Sequence, residues 1–211
     1  MDVKRMSLGP IGTNCYIVYD DRNALIIDPG GEAKIVIDFL NKEKLSPRAI
    51  LLTHAHFDHI GAVEDLRLFY GLDVYLHNLE ASWLENPRLN GSVSFIGEEI
   101  KTKQAEYMIE SGEKQIASFT FEAVHTPGHS PGSVSFIFKE EGFGFVISGD
   151  VLFQQGIGRT DLPGGDMEQL EASIRTQLYQ LDNSFIVYPG HGPRTTIGHE
   201  KVNNPFVKDL M

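Results

Sequence analysis

The chain has one cysteine, a shortage of basic residues and no long apolar run. Cys15 alone among 211 residues rules out an intrachain disulfide and makes a reducing cytosol the expected compartment. No stretch approaches the ~20 consecutive apolar residues of a transmembrane helix. Lys4 and Arg5 are not followed by the apolar segment of a secretory leader. The expectation is a soluble, cytoplasmic protein without membrane attachment. There are 18 Lys and Arg against 29 Asp and Glu, a formal charge of −11. That balance repels phosphate backbones and argues against general nucleic-acid binding. No linker, low-complexity tract or tandem repeat interrupts the sequence, so 1–211 reads as a single domain with an ordinary core.

Histidine, by contrast, is concentrated. The run Thr53-His54-Ala55-His56-Phe57-Asp58-His59 holds three of the eight histidines within six residues, beside an aspartate. It follows apolar Ala49-Ile50-Leu51-Leu52 and precedes Gly61-Ala62-Val63, which predicts a buried strand, a tight polar loop and a helix. Side chains alternate in an extended stretch, so His54, His56 and Asp58 share one side while His59 projects differently. One loop thereby offers two groups of ligands to two neighbouring ions. The alternative is a surface loop merely rich in histidine, and its position at a strand end weighs against that.

Around this loop the pattern is strand–helix alternation. Strands are predicted at 14–19 and 24–27, broken by Asp28-Pro29-Gly30-Gly31, then a helix with Ala33, Val36, Ile37 and Leu40 on one face. A strand over 49–52, a helix with an apolar face of Ala62, Val63, Leu66, Phe69 and Tyr70, and a strand over 73–76 follow. Residues 77–103 read as short turns and helical pieces, with Trp83, Leu84, Phe95 and Ile100 as core contacts. Strands over 106–109 and 116–124 flank Ser111-Gly112-Glu113. A hairpin of 133–138 and 143–148 has one buried face through Val134, Phe136 and Phe138. A last helix starts near Asp166, with Gln169 as capping partner and an apolar stripe of Met167, Leu170, Ile174, Leu178 and Leu181. A strand over 185–187 and a short polar tail end the chain, giving two strand-then-helix halves within one domain.

Three later positions extend the donor set. His129 lies in Thr126-Pro127-Gly128-His129-Ser130-Pro131-Gly132, Asp150 follows Ile147-Ser148-Gly149, and His191 lies in Tyr188-Pro189-Gly190-His191-Gly192. Each is at a strand end beside glycine, which lets the backbone approach an ion closely. A lone histidine beside a turn is ordinarily a polar loop residue; the signal is the joint occurrence with 53–59. Together with Asn14-Cys15-Tyr16 and Ile27-Asp28-Pro29-Gly30, these motifs resemble the metallo-β-lactamase superfamily of metal-dependent hydrolases over nearly the whole chain. The resemblance implies an α+β fold, a four-layer αβ/βα sandwich with ligand loops gathered at one edge. It implies that His54, His56 and His129 hold one divalent ion, that Asp58, His59 and His191 hold a second, and that Asp150 bridges the two. Asp58 and Asp150 would also orient the attacking water. Imidazole and carboxylate donors suit zinc first, with iron or manganese as alternatives, and the lack of thiolates argues against a purely structural zinc.

Two ions ~3.5–4 Å apart can bind one hydroxide between them, lower its pKa and polarise a carbonyl. The reaction implied is hydrolysis of a thioester or ester without a Ser, Cys or Lys nucleophile. Gly158-Arg159-Thr160-Asp161, and Thr195-Thr196-Ile197-Gly198-His199-Glu200 followed by Asn204-Pro205-Phe206, resemble compact bacterial glyoxalase II-like (hydroxyacylglutathione hydrolase-like) enzymes. About twenty residues follow His191, so the C-terminal helical domain with which full-length glyoxalase II binds glutathione is expected to be missing. The partner is then a small-molecule thioester of glutathione or of another thiol. Persulfide dioxygenases resemble the chain at 158–161 too, and that alternative places one iron on His54, His129 and Asp150. A β-lactamase would carry an export signal, a tRNA-processing nuclease a basic RNA-binding element, and a silent scaffold has no need of seven ligands. Arg159 either grips a substrate carboxylate or pairs with Asp161. Asp28 either orients a ligand histidine or Thr53, or caps the Pro29-Gly30 turn. His77, His125 and His199 read as ordinary polar residues, Tyr188 as a packed strand-end tyrosine and Cys15 as a buried small hydrophobe. Oligomeric state is open.

Overall fold

Strand pairing builds two sheets, seen in a computed structural model that describes residues 1–208. The chain divides into two compact units, Met1–Ile109 with Gln115–Phe119, and Glu110–Lys114 with the chain from Thr120 onward.

The first unit runs β1 (Asp2–Leu8), β2 (Thr13–Tyr19), β3 (Asn23–Ile27), α1 (Ala33–Glu43), β4 (Ser46–Leu51), α2 (Phe57–Ile60), α3 (Val63–Tyr70), β5 (Val74–Leu76), a 3₁₀ helix (Asn78–Trp83), α4 (Ser92–Ile96) and β6 (Tyr107–Met108). Its strands lie in sequential order; β1, β2 and β3 pair antiparallel, and β3 to β6 pair parallel. Cys15, Ile17, Ile26 and Ile50 meet Val36, Leu40, Val63 and Leu66 in one apolar core. Tyr16, Val18, Leu25 and Ile27 on the alternate positions are buried as well, so these strands read as continuous apolar runs rather than strict alternation. The strand β1 has no counterpart in the sequence-based expectation. It is an edge strand in which only Met6 and Leu8 are buried, and its charged residues hide the pattern. Phe69 and Phe95, expected in the core, are exposed, whereas Trp83 and Leu84 are buried as expected.

Apart from Gln115, Ile116 and Phe119, which belong to the first unit, the second unit holds β7 (Gly112–Ile116), β8 (Phe119–His125), β9 (Val134–Glu140), β10 (Phe143–Gly149), the small hairpin β11 (Leu152–Phe153) and β12 (Gly156–Ile157), α5 (Met167–Thr176), β13 (Ile186–Pro189), β14 (Thr195–Thr196) and α6 (Ile197–Asn203). Its main sheet has the order β14-β13-β10-β9-β8-β7. The single strand expected over 116–124 is broken, because Ala117 adopts a left-handed φ of 52° and turns the chain. The hairpin of β9 and β10 is buried on both faces, since every residue from Val134 to Phe138 is inaccessible. Leu170, Ile174 and Leu178 pack on Val146, Val187 and Ile197. Met167 is outside that core and exposed. The tail read as merely polar forms α6, capped where the Thr196 side chain accepts from the His199 amide. Buried Glu200 accepts from the Gln155 amide (2.8 Å) and the Thr195 hydroxyl (2.6 Å), pinning α6 to the β11–β12 turn.

In each unit the topology sends the polar loops to one edge. Asp28 follows β3, residues 53–59 follow β4 and Glu80 lies just past β5, all at the carboxyl ends of adjacent parallel strands. Likewise β10 and β13 are parallel neighbours ending at Asp150 and His191, with the Gly190 amide donating to the Gly149 carbonyl at 2.8 Å. Two antiparallel steps, β8 to β9 to β10, bring the carboxyl end of β8, and so the His129 loop, to that same edge. The carboxyl edge of a parallel arrangement is where α/β proteins place their sites.

Candidate metal centre

The first unit contributes His54, His56, Asp58 and His59, all buried. Ligand atoms of His54 and His56, of His54 and His59, and of Asp58 and His59 lie within 4.8 Å of each other. The His54 ring stands 4.7 Å from that of His56 and 4.1 Å from that of His59, centroid to centroid. Hydrogen bonds behind the rings decide which nitrogen faces forward. Asp28 accepts from the Thr53 amide through Oδ1 (2.8 Å) and from the Thr53 hydroxyl through Oδ2 (2.6 Å). The hydroxyl proton being spent on Asp28, Thr53 Oγ1 accepts from His54 Nδ1 at 3.0 Å. His59 Nδ1 lies 3.0 Å from Asp28 Oδ2, and His59 Nε2 lies 3.3 Å from Asp58 Oδ2. One buried carboxylate thus stands behind two imidazoles, reaching His54 through the Thr53 hydroxyl and lying at ion-pair distance from His59 Nδ1, an arrangement suited to metal-ligating histidines. The side chain of Asp28 thus serves Thr53 and the ligand loop, while its backbone enters the turn with φ 52°.

The second unit contributes His129, Asp150 and His191. Asp150 Oδ2 lies 3.6 Å from Nε2 of His129 and 3.6 Å from Nε2 of His191, so one carboxylate oxygen stands between two imidazoles. His129 Nδ1 donates to the Arg159 carbonyl at 2.8 Å, which again leaves Nε2 facing Asp150. The His129 loop is anchored from α5, where the Asp166 amide donates to the Gly128 carbonyl (2.7 Å) and the Ser173 hydroxyl to the Pro127 carbonyl (2.7 Å). His191 is the most open donor, its side chain 29% exposed.

The Arg159 guanidinium pairs bidentately with Asp161, at 2.7 and 2.6 Å, and this hydrogen bonding lowers the Asp161 carboxyl to about 2. Its backbone is what touches the donor set. Tyr188 is buried and edge-on to Phe145, His77 accepts from the Leu79 amide, and the His125 ring reaches the Pro131 carbonyl. Burial raises the Cys15 thiol, with Asp28 adding to it, so that thiol stays protonated.

Four residues with roles here were not singled out by sequence reasoning as part of the site. The Thr13 hydroxyl donates to Asp58 Oδ2 at 2.5 Å, and buried Glu80 accepts from the Ala55 amide at 2.6 Å. Gly30 and Gly158 admit backbone where no side chain fits; a Cβ would stand 2.0 Å from the Asp58 carbonyl and 1.9 Å from that of Asp150, respectively. A threonine opening a strand and a glutamate in an irregular stretch carry no motif, whereas Gly158 lies in the stretch from 158 to 161 already singled out.

Imidazoles and carboxylates without thiolate, with His54, Asp58 and His129 oriented by hydrogen bonds from behind, form donor groups suited to divalent ions in a reactive rather than a structural site. The chain belongs to the metallo-beta-lactamase superfamily, a superfamily of metallo-hydrolases, whose sequence profile matches residues 8–191, and its α+β fold with two sheets is the metallo-β-lactamase fold. It is 48% identical over 208 residues to the probable metallo-hydrolase YqgX of Bacillus subtilis, covering 98% of each chain. It is 38% identical over 216 residues to the hydroxyacylglutathione hydrolase GloC of Haemophilus influenzae, again covering 98% of each. Among solved structures it resembles the B3 metallo-beta-lactamase BLEG-1, with TM-score 0.94 and 52% identity over 98% of this chain and 99% of that one. It also resembles TTHA1623 in a di-iron-bound form, with TM-score 0.85 and 40% identity over 96% of this chain and 99% of the other. Among the described residues, no helix is long and apolar enough to cross a membrane.

Proposed function

We propose that this chain is a cytoplasmic hydrolase of small-molecule thioesters, acting as one catalytic domain on a hydroxyacyl ester of glutathione or of another thiol. His54, His56 and His129 would hold one divalent ion and Asp58, His59 and His191 a second, with Asp150 shared. Zinc is the first candidate, with iron or manganese as alternatives, and a similar protein binds two irons. Such ions, when bound, supply a Lewis acid and a water of lowered pKa. The chain's own residues do the positioning. Asp28 through the Thr53 hydroxyl, and the Arg159 carbonyl, hold His54 and His129 in the tautomer that frees Nε2, and Thr13 keeps Asp58 Oδ2 oriented. Asp150 and Asp58 are the carboxylates available to orient a nucleophilic water. Arg159, on the loop that carries the His129 anchor, would receive a substrate carboxylate on opening of its pair with Asp161.

The observation that carries this reading is the donor set itself, seven imidazole and carboxylate side chains of which His54, Asp58 and His129 are oriented by hydrogen bonds from behind, together with 38% identity to a named hydroxyacylglutathione hydrolase over 98% of both chains. The test is elemental analysis of the purified protein beside a substrate panel assayed with and without oxygen. Two metals per chain and anaerobic turnover of a hydroxyacyl thioester are the expected results. A second reading, cleavage of the β-lactam amide, is favoured by 52% identity to a protein described as a B3 metallo-beta-lactamase. Turnover of a β-lactam with inert thioesters would establish it. Oxygen uptake with a thiol persulfide and one iron per chain would instead refute hydrolysis in favour of a dioxygenase.

A further inference from the structure

Three alternate amides of the ligand loop are taken by partners outside it. Thr53 N donates to Asp28 Oδ1 at 2.8 Å, Ala55 N to Glu80 Oε2 at 2.6 Å, and Phe57 N to the Asn90 carbonyl at 2.9 Å. The last sheet bond on this segment is from Leu52 N to the Tyr75 carbonyl, so the loop beyond it has these anchors in place of a strand neighbour. Two of the three are buried carboxylates. Asp28 has an evident reason to be charged, since it also meets His59. Glu80 calls for a separate one. It is inaccessible to solvent, and a carboxylate so placed carries a desolvation cost.

Its position supplies the reason. Ala55 lies between His54 and His56, so fixing the Ala55 amide sets the spacing of those two rings. The same 3₁₀ helix, Asn78–Trp83, also supplies Trp83, whose ring system lies 5.6 Å from the His56 ring at 40°. One short helix therefore holds both the backbone and a ring of the His54–His56 pair. A charge-assisted bond is stiffer than a neutral one, and a buried negative charge behind two neutral imidazoles favours a cation in front of them.

We propose that Glu80 is a positioning residue of the metal centre, one that fixes the His54–His56 pair through the Ala55 amide and raises its affinity for a divalent cation by its charge. The proposal rests on the reading of 53–59 as ligands. It is tested by titrating zinc into metal-stripped wild type, Glu80→Gln and Glu80→Ala against a chromophoric chelator, with melting curves of each stripped protein. Glu80→Gln keeps the shape and an acceptor for Ala55 N but removes the charge. The expected result is a stripped-state melt near that of wild type with zinc affinity lowered about tenfold, in the range seen for residues supporting metal ligands. Glu80→Ala should lose more affinity and also melt lower. Wild-type zinc affinity in Glu80→Gln overturns the proposal, and if Glu80→Ala does not fold, Glu80→Gln decides alone. A wild type that binds no zinc, iron or manganese refutes the metal-centre reading itself, and the wild-type titration tells that failure apart.

Discussion

Gly158→Ala is the substitution with the sharpest expected consequence. An added Cβ would stand 1.9 Å from the Asp150 carbonyl oxygen and 3.1 Å from the His129 Cβ. The first is a backbone atom, so no side-chain rotation relieves the clash. Separations under 3.0 Å are essentially never seen for real Cβ atoms, so the main chain must part by about 1 Å. The Gly158 amide donates to the Val151 carbonyl at 3.3 Å beside the Leu152–Ile157 pair, which ties that movement to the hairpin following Asp150. Overpacking of this kind costs about 3 kcal/mol. For a chain of this size that lowers Tm by about 6–12 °C. The displacement also exceeds the ~0.5 Å within which a ligand set must be held, and it falls on Asp150 and His129 together. Circular-dichroism melts of the metal-stripped protein measure the first effect and elemental analysis after reloading measures the second. A variant that melts with wild type and takes up the full metal complement would refute the reasoning.

Other expectations follow from the hydrogen bonds around the donors. Asp28→Asn turns one acceptor oxygen into a donor facing Thr53 and His59; metal affinity should fall by about 10–100-fold, read by chelator competition. Thr13→Val removes the hydroxyl that donates to Asp58 Oδ2 in a buried setting, a loss of about 1–3 kcal/mol in denaturant melts of the loaded protein. The Asp161 carboxyl is lowered from 3.8 to about 2 by its bond to Arg159. A lowered folded-state value means that the pair's stabilisation is complete above pH ~4 and is lost as pH falls toward 2. NMR titration should place that carboxyl near the lower value in wild type and near the ordinary one in Arg159→Ala, and stability between pH 5 and 9 should not respond to this pair.

The donors themselves were legible in the chain because metal chemistry restricts residue type severely. His54, His56, Asp58, His59, His129, Asp150 and His191 stand beside glycines or at the ends of apolar runs, a pattern that survives without any fold. The apolar runs, helix faces and the Asp166 cap likewise announced most elements, since periodicity and capping are local properties. Edge strand β1 and helix α6 escaped notice because charged residues mask the one and the other is held by a buried glutamate whose partners are distant in sequence.

What the sequence alone determined, then, is the list of candidate donors and the α+β alternation that delivers loops at strand ends. Tertiary structure decided how those donors are held. That Asp28 serves Thr53 and His59 at once, that Arg159 offers His129 its carbonyl while its guanidinium binds Asp161, and that Glu80 lies under Ala55 all depend on which strands become parallel neighbours. Adjacent parallel strands bring their carboxyl ends together, so residues 25 positions apart in the chain, Asp28 with Thr53 and Ala55 with Glu80, become hydrogen-bond partners. A local pattern cannot encode that pairing, because it comes from sheet register and not from sequence spacing.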